Sequence, residues 1–227
     1  MRCAKLIAAA LLGVSFLAPA SAEMVLSQVI FDLRPGEAPR QDVEVYNNGS
    51  ERMYVAADVF RILEPGTPRE QRVAEQPAQE PDLLVSPKRM ILAPGERRTV
   101  RIAALGPRSE TDRIYRVAIK PVAGEVTSDK SALNVFWGYD TLVIIRPEKT
   151  IDDIRFERDG RRLVIRNAGN TNQEFFEGMQ CDKDGLNCHS LPPKRLYPGA
   201  AWEQFVPLDT KVTYKTALGA TVRVREF

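Results

Sequence analysis

Histidine and cysteine, the side chains that most often carry nucleophilic or metal chemistry, are scarce in this chain of 227 residues. The one histidine, His189, directly follows Cys188, and Cys181 begins the stretch Cys-Asp-Lys-Asp-Gly-Leu-Asn-Cys. A metal site is one alternative, but adjacent Cys and His side chains do not readily point at one ion, and the chain offers no second pair. Two thiols that flank an Asp-Gly turn instead favour a Cys181–Cys188 disulfide that closes a hairpin.

Catalytic arrangements are equally hard to build from this sequence. A Ser-His-Asp or Cys-His arrangement could use only His189, and neither a phosphate-binding glycine loop nor a zinc-protease helix motif is present. The adjacent carboxyl groups of Asp152 and Asp153 lie beside a predicted turn, where we expect them to be solvated. The sequence therefore predicts a protein that is not an enzyme and uses no cofactor or metal.

The first 22 residues are typical of a secretory signal peptide. Arg2 and Lys5 precede an apolar run over residues 6–18, and Ala20-Ser-Ala22 has the small side chains of a cleavage site. The run is too short to cross a membrane comfortably, so we expect an exported protein without membrane insertion. Removal of residues 1–22 leaves 30 basic and 30 acidic residues, and this balance does not favour nucleic-acid binding.

Short β-rich stretches separated by turn signals indicate an all-β protein. We predict strands over residues 26–32, 43–46, 53–63, 99–103, 115–121 and 133–145, with a loop over the Pro- and Glu-rich residues 64–81. After Pro147, a hairpin turn is predicted at residues 158–161, with further strands over 174–179, 201–206 and 221–227. The pattern is typical of two immunoglobulin-like domains, residues 23–147 and 148–227, and no internal repeat is evident.

The stretch over residues 133–145 is long for one strand of a small domain. A period of two places Leu133, Val135, Trp137 and Tyr139 on one side. One interpretation is a core strand whose apolar side faces its own sandwich. The other is an edge strand whose apolar row is offered to another chain, because an unpaired edge with large side chains invites strand addition.

Five segments, in order and at matching spacing, resemble the periplasmic chaperones of chaperone–usher pili. They are residues 28–32, 43–48 with 54–59, 86–96 with 99–102, 112–119, and the long strand ending Ile145-Arg-Pro147. Residues 165–170, the Cys181–Cys188 loop and residues 195–199 are similar to the alternate, colonisation-factor and common-pilus subgroup. The resemblance implies two immunoglobulin-like β-sandwich domains in an L or boomerang arrangement.

In that family the long strand completes the open groove of a pilin, and the resemblance assigns this role to Leu133, Val135 and Trp137, with Tyr139 next in the row. The best-known members also hold the pilin's C-terminal carboxylate with an Arg and a Lys. Here Gln28 and Leu142 stand in those places, so we expect another basic group. Arg116 is the first candidate and Lys120 the second, although Arg116 is equally well explained as a solvent-facing strand residue.

Two further expectations follow from the same resemblance. Arg146 matches the family's interdomain salt-bridge arginine, and Asp112 matches its carboxylate partner. Pro87 matches part of a proline-containing loop that covers the usher-binding face, although an ordinary turn proline is an equal alternative.

The resemblance predicts a periplasmic chaperone that binds and stabilises pilin subunits by donor-strand complementation and delivers them to the outer-membrane usher. When free, such a protein could cap itself as a homo-oligomer. The alternative classes are a structural pilus subunit or adhesin with immunoglobulin-like domains, and a sugar-binding or enzymatic sandwich.

Overall fold

The computed structural model describes residues 23–75, 81–123 and 137–227, and within these ranges every regular element is a β-strand. The all-β prediction is confirmed. Among these residues there is accordingly no helix long and apolar enough to cross a bilayer.

In the described residues, the first sandwich has ten strands in two sheets. One sheet has the order β1-β3-β8-β6, and the other has the order β2-β10-β9-β4-β5, with β7 also pairing with β4. The strands are β1 Met24–Leu26, β2 Ile30–Leu33, β3 Arg40–Asn47, β4 Met53–Leu63, β5 Gln71–Ala74, β6 Leu83–Ser86, β7 Arg89–Leu92, β8 Arg97–Ala104, β9 Arg113–Val122 and β10 Tyr139–Ile145.

The prediction of one continuous strand over residues 26–32 is wrong, because the chain changes sheet there. Met24 faces the core from β1, whereas Phe31 and Leu33 face it from β2, so the inward side shifts from even to odd residues. Ser27 still bonds to Glu44 of β3, but the carbonyl of Val29 already accepts from the β10 backbone. The first strand therefore belongs to both sheets in turn.

The prediction of a loop over residues 64–81 is also wrong in part. Strand β5 lies inside this stretch and pairs with β4 from Phe60–Ala74 to Leu63–Gln71. All four of its residues are exposed, so β5 carries no buried apolar side to mark it in the sequence. Residues 76–80 lie outside the described ranges.

The second sandwich contains one sheet of order β11-β12-β16 and another of order β14-β13-β17-β18, with β15 pairing with β13. The predicted hairpin turn is confirmed, with Gly160 at a φ of 53° between β11 and β12. The strands are β11 Ile154–Asp159, β12 Arg162–Asn167, β13 Gln173–Cys181, β14 Cys188–Leu191, β15 Lys194–Leu196, β16 Ala201–Phe205, β17 Val212–Leu218 and β18 Thr221–Glu226. The predicted disulfide is present and joins β13 to β14.

Two apolar clusters hold these layers together. The first lies between the sheets of the first sandwich. The second fills the other sandwich and extends across the junction, because four side chains of the first sandwich pack into it: Ile62, Ile114, Leu142 and Ile144. The two sandwiches are therefore joined by a shared apolar core as well as by the connecting chain.

A buried asparagine makes corresponding bonds in each sandwich, and we call this arrangement the asparagine tie. Asn47 donates to the carbonyls of Glu51 and Leu92 and accepts from the amide of Gly49. Asn167, at the end of β12, makes the corresponding bonds, and in both sandwiches a Pro-Gly turn donates back to the asparagine carbonyl. The two sandwiches thus share a repeated feature, and its Asn-x-Gly and Pro-Gly motifs are present in both halves of the sequence.

Candidate functional site

Strand β10 is paired unequally on its two sides. On one side β9 follows it over its whole length, from Tyr139–Ile119 to Ile145–Arg113. On the other side β2 runs parallel to it, but only beside residues 142–145. Within the described part of the chain, the edge of β10 over residues 139–141 therefore has no neighbouring strand on the β2 side.

Exposed apolar side chains surround this open edge. Trp137 is 81% exposed, and Val29 and Ile30, where the chain enters β2, are 45% and 46% exposed. Between Trp137 and β10, Gly138 lies so close to β9 that a Cβ atom there would come within 2.6 Å of the Lys120 Cβ atom. A glycine at this position therefore allows the chain to approach β9 while the Trp137 side chain remains in solvent.

The predicted row of partner-facing side chains is only partly accessible. Leu133 and Val135 lie outside the described residues. Trp137 is exposed, but Tyr139 packs against the core of its own sandwich, and its hydroxyl donates to the carbonyl of Met24 over 3.0 Å. Tyr139 is thus engaged by its own chain, which differs from the continuous row that a period of two predicts.

A cluster of charged side chains surrounds Asp140, the residue that follows Tyr139 on β10. Arg72 of β5 donates two bonds to the carboxylate of Asp140, at 2.8 and 3.1 Å, and its guanidinium lies over the ring of Phe60 with 4.0 Å to the ring centroid. Arg116 of β9 reaches the same residue more loosely, with 3.9 Å between its Nε atom and the Asp140 carboxylate. Two partly exposed guanidinium groups share one carboxylate, so this face keeps an excess positive charge.

Arg72 is the member of this cluster that the sequence interpretation missed. It lies in the stretch predicted to be a loop, and its role depends on β5 pairing with β4, for which the local sequence gives no signal. The other predicted anchor, Lys120, is occupied by Asp58 at 3.2 Å. Burial of Asp58 would raise its pKa, but hydrogen bonds from Lys120 and Arg89 outweigh burial and hold the pKa below its usual range.

Gln28 and Leu142 take no part in a charged site. The Gln28 side chain donates to the carbonyl of Asp42 over 3.3 Å. Leu142 is buried in the apolar cluster that spans the junction. Leu142, where the resemblance expects a lysine, thus helps to hold the two sandwiches together.

At the junction, the structure corrects the predicted pairing of Asp112 with Arg146. Among the described residues, Arg146 forms its ion pair with Asp32, at 2.7 Å, and donates to Thr171 and to the carbonyl of Asn172. Asp112 instead accepts two bonds from Asn172, one from the backbone amide and one from the side chain. Both side chains cross to the second sandwich and both bond to Asn172, Arg146 through its backbone carbonyl and Asp112 through its amide groups.

The junction also fixes the ends of β2 and β10. Arg108 donates to the carbonyls of Leu33, Arg34 and Arg146, so one guanidinium satisfies three carbonyls where the two parallel strands finish.

Pro87 lies exposed in the connection between β6 and β7. In the described part of the chain, no group of three or more His, Cys, Asp or Glu side chains could hold a metal ion.

Comparison with known proteins extends this description. No family model matches the chain. Among curated proteins it is 27% identical over 172 residues to a CS1 fimbrial subunit of Escherichia coli, covering 71% of this chain and 72% of that protein. It is 24% identical over 197 residues to a CFA/I fimbrial subunit of E. coli, covering 82% of each. It is 27% identical over 149 residues to "Probable fimbrial chaperone EcpE" of E. coli, covering 61% of this chain and 58% of that one.

Solved structures show the same fold. The class 5 fimbriae chaperone CfaA superposes with a TM-score of 0.66 at 20% identity, over 89% of this chain and 98% of that one. The E. coli chaperone DraB gives 0.61 at 18% identity, over 90% and 95%. A structure of the Salmonella enterica SafA pilin with the SafB chaperone gives 0.60 at 16% identity, over 92% and 98%. The chain therefore has the two-domain immunoglobulin-like fold of the chaperones of chaperone–usher pili, and the resemblance found in the sequence is confirmed at the level of the fold.

Proposed function

We propose that this chain is a periplasmic chaperone that captures pilin subunits by adding its own strand to their incomplete sheet and delivers them to the outer-membrane usher. In this proposal residues 1–22 are the signal peptide, residues 23–147 form the pilin-binding domain and residues 148–227 form the second domain. The observation that carries the proposal is the open edge of β10 beside residues 139–141, next to the exposed Trp137.

An open strand edge of this kind offers two sources of binding free energy. Unpaired backbone groups can continue a ladder in a partner, and alternate side chains can enter its core pockets. Each apolar side chain among Leu133, Val135 and Trp137 would contribute about 1.5–3 kcal/mol if it became fully buried. The same edge could pair with a second copy when no pilin is present, which supports a self-capping homo-oligomer of the free chaperone.

The relatives support the same partner class. EcpE is named a fimbrial chaperone, and SafB was solved in complex with a pilin. Transfer of these properties to the present chain rests on the shared fold together with the open edge of β10.

Arg116 and Arg72 are the groups that we propose for the pilin's C-terminal carboxylate. Arg116 lies in the sheet row that contains Leu142, and Arg72 lies two rows further along the same face. Together they exceed the charge of Asp140 by one. A carboxylate can accept paired bonds from guanidinium groups, which are stronger than bonds between neutral groups. Lys120 is a weaker choice because Asp58 already binds it.

Co-expression with candidate pilins, followed by purification of the binary complex, tests this function. We expect Val135→Asp and Trp137→Asp to reduce the recovered pilin at least about tenfold, because a carboxylate would enter an apolar pocket. Leu186→Asp is the matched control, since Leu186 is an equally exposed apolar residue at the tip of the disulfide hairpin in the other sandwich. Normal pilin recovery with Val135→Asp would overturn the donor-strand assignment.

The Arg116→Ala variant tests the anchor separately. We expect Arg116→Ala to weaken pilin binding, although the donor strand still fills the pilin's groove. Unchanged binding by both Arg116→Ala and Arg72→Ala would place the anchor elsewhere and leave the donor strand intact.

One observation keeps the alternative of a structural subunit open to test, because two relatives carry the name fimbrial subunit. A structural subunit would be incorporated into the fibre, whereas a chaperone would leave the complex at the usher. Recovery of this chain in sheared, purified pili would therefore support the alternative.

A further inference from the structure

The asparagine ties show which strands of the two sandwiches correspond. Asn47 ends β3 and Asn167 ends β12, and in each sandwich the next long strand, β4 or β13, pairs with a later strand, β9 or β17. The last strand of each sandwich then pairs antiparallel with that later strand, as β10 does with β9 and β18 with β17. Strand β18 is therefore the counterpart of β10.

The two counterparts differ on their other side. Strand β10 has β2 beside it in parallel, whereas β18 ends its sheet, and no strand among the described residues pairs with it on the side away from β17. The chain before β11 contacts this strand through one side chain, because Asp152 binds both Arg223 and Arg225. The place that β2 fills in the first sandwich is thus unfilled by backbone in the second.

The hydrogen-bond pattern shows which backbone groups are available at this edge. Val212 and Phe227 exchange both backbone bonds, so they form a hydrogen-bonded pair. Such pairs recur at every second residue of an antiparallel ladder, so the amide and carbonyl groups of Arg225 and Arg223 also point towards β17. The amide and carbonyl groups of Val222 and Val224 therefore point away from β17, towards the open side.

The side chains at this edge define a two-faced surface. Val222 and Val224 are 55% and 65% exposed on one face. Arg223 and Arg225 lie on the opposite face, where they share the single carboxylate of Asp152, and the Arg223 side chain is 64% exposed. An added strand would meet apolar groups on one side and an excess of positive charge on the other.

A second copy of this chain does not fit this edge well. If two β18 strands paired antiparallel with their valines on a common face, Arg223 would stand opposite Arg223 or Arg225 of the other copy, and like charges opposite each other are destabilising. Six residues of edge are also far less than the surface that a stable dimer buries.

We propose that β18 is a second strand-addition edge, which accepts an extended segment of a partner protein in parallel, in the position that β2 takes beside β10. The segment alternates apolar residues, which pack on Val222 and Val224, with acidic residues, which bind Arg223. Strand β2 illustrates the chemistry within this chain, because its Asp32 forms ion pairs with Arg34 and Arg146 while it hydrogen-bonds to β10.

Amide hydrogen exchange of the full-length protein, followed by NMR, tests this proposal. The probe is a blocked seven-residue peptide of alternating valine and glutamate, and its control has lysine in place of glutamate. We expect the glutamate peptide to slow exchange of the Val222 and Val224 amides at least about tenfold and to leave the Arg223 amide unchanged, while the lysine peptide has no effect. Equal protection by both peptides, or none by either, would overturn the proposal.

Val224→Pro removes one outward amide without removing a bond to β17, so we expect the melting temperature to stay within a few degrees and peptide protection to be lost. Val224→Thr is the matched control and keeps the amide. If Val224→Pro unfolds the protein, a glutamate peptide with N-methylated valines tests the same bonds from the ligand side and should fail to protect. Sedimentation that shows a dimer abolished by Val224→Pro would identify a second copy as the occupant and overturn the proposal.

Discussion

The carboxyl group of Asp112 uses its two oxygens unequally. One oxygen accepts both bonds from Asn172, and the other is buried without a hydrogen-bond partner in the described part of the structure. Burial raises the pKa of Asp112 above its usual value, and this effect exceeds the lowering effects of the Asn172 bonds and of the nearby Arg146 charge. The ionised group is therefore held at the junction at a cost in stability.

The sign of the resulting pH dependence follows from the raised pKa. As the pH rises, the unfolded chain releases this proton before the folded protein does, so ionisation of Asp112 favours unfolding. The cost is fully present above the raised pKa and disappears as the pH falls through it towards the ordinary value of about 3.9.

We expect Asp112→Asn to be at least as stable as the original protein at pH 7, because an amide keeps an acceptor for Asn172 and carries no charge. The difference should shrink as the pH is lowered towards about 4. Urea unfolding at several pH values measures it. Asp112→Ala is the control and should lower the free energy of unfolding by about 1–3 kcal/mol, because two donors of Asn172 lose their acceptor. An Asp112→Asn variant as unstable as Asp112→Ala would contradict this account.

At the scale of elements, the asparagine ties are the sites where one side chain stabilises several loops at once. Asn47 and Asn167 are both completely buried, and each bonds to a carbonyl four residues ahead and to another before a Pro-Gly turn. The turn residues can be recognised in the sequence, but the pairing of Asn47 with Leu92 links residues 45 positions apart.

We expect Asn47→Ala and Asn167→Ala each to lower the free energy of unfolding by more than about 2 kcal/mol, because several buried carbonyls and one amide lose their partners. Urea titration followed by circular dichroism measures the change. Asn48→Ala is the matched control, since the neighbouring Asn48 side chain is exposed, and should change stability by less than about 0.5 kcal/mol. Equal effects of Asn47→Ala and Asn48→Ala would argue against the tie.

Sequence patterns predicted the elements that carry several buried apolar side chains. Strands β3, β4 and β9 fall where alternation predicts them, and the hairpin of β11 and β12 follows its Asp-Gly signal. The same reasoning failed where the pattern depends on distant partners. It missed β5, which is exposed on both faces, and it extended the first strand through the change of sheet at Ser27–Val29.

The candidate site was predictable in part for the same physical reason. Trp137 was recognised from its place in the alternating row of residues 133–145 and from the family resemblance, both of which are local features of the sequence. Arg72 and Arg116 share Asp140 only because β5, β9 and β10 are brought onto one sheet, and Asp32 replaces Asp112 as the partner of Arg146 because β2 runs beside β10. These pairings are set by strand order, which residue spacing does not encode.

At the scale of the whole molecule, the second apolar cluster makes the two sandwiches interdependent. Ile144 belongs to a strand of the first sandwich, yet its buried side chain is part of the core that contains Phe175 and Tyr214 of the second. Gly66, in the turn after β4, approaches Tyr197 of the second sandwich so closely that a Cβ atom would lie 2.9 Å from the ring. Separation of the sandwiches would expose these groups to water.

We expect Ile144→Ala to lower the free energy of unfolding by about 2–5 kcal/mol and to do so in the second sandwich as well. Trp202 lies in that sandwich, so its fluorescence in a Trp137→Phe background reports the second sandwich alone. Ile91→Ala is the matched control, since Ile91 is a half-exposed isoleucine of the first sandwich. A Trp202 transition unaffected by Ile144→Ala would mean that the sandwiches unfold independently.

The parallel pairing of β2 with β10 also constrains when the protein can become folded. Ile30 pairs with Leu142 and Leu33 with Ile145, so strands more than a hundred residues apart in sequence must meet before the first sandwich is closed. Contacts of such long range form slowly, because a large loop has to be ordered first. During synthesis, the apolar sides of the early strands would therefore stay uncovered until the chain beyond residue 145 has emerged.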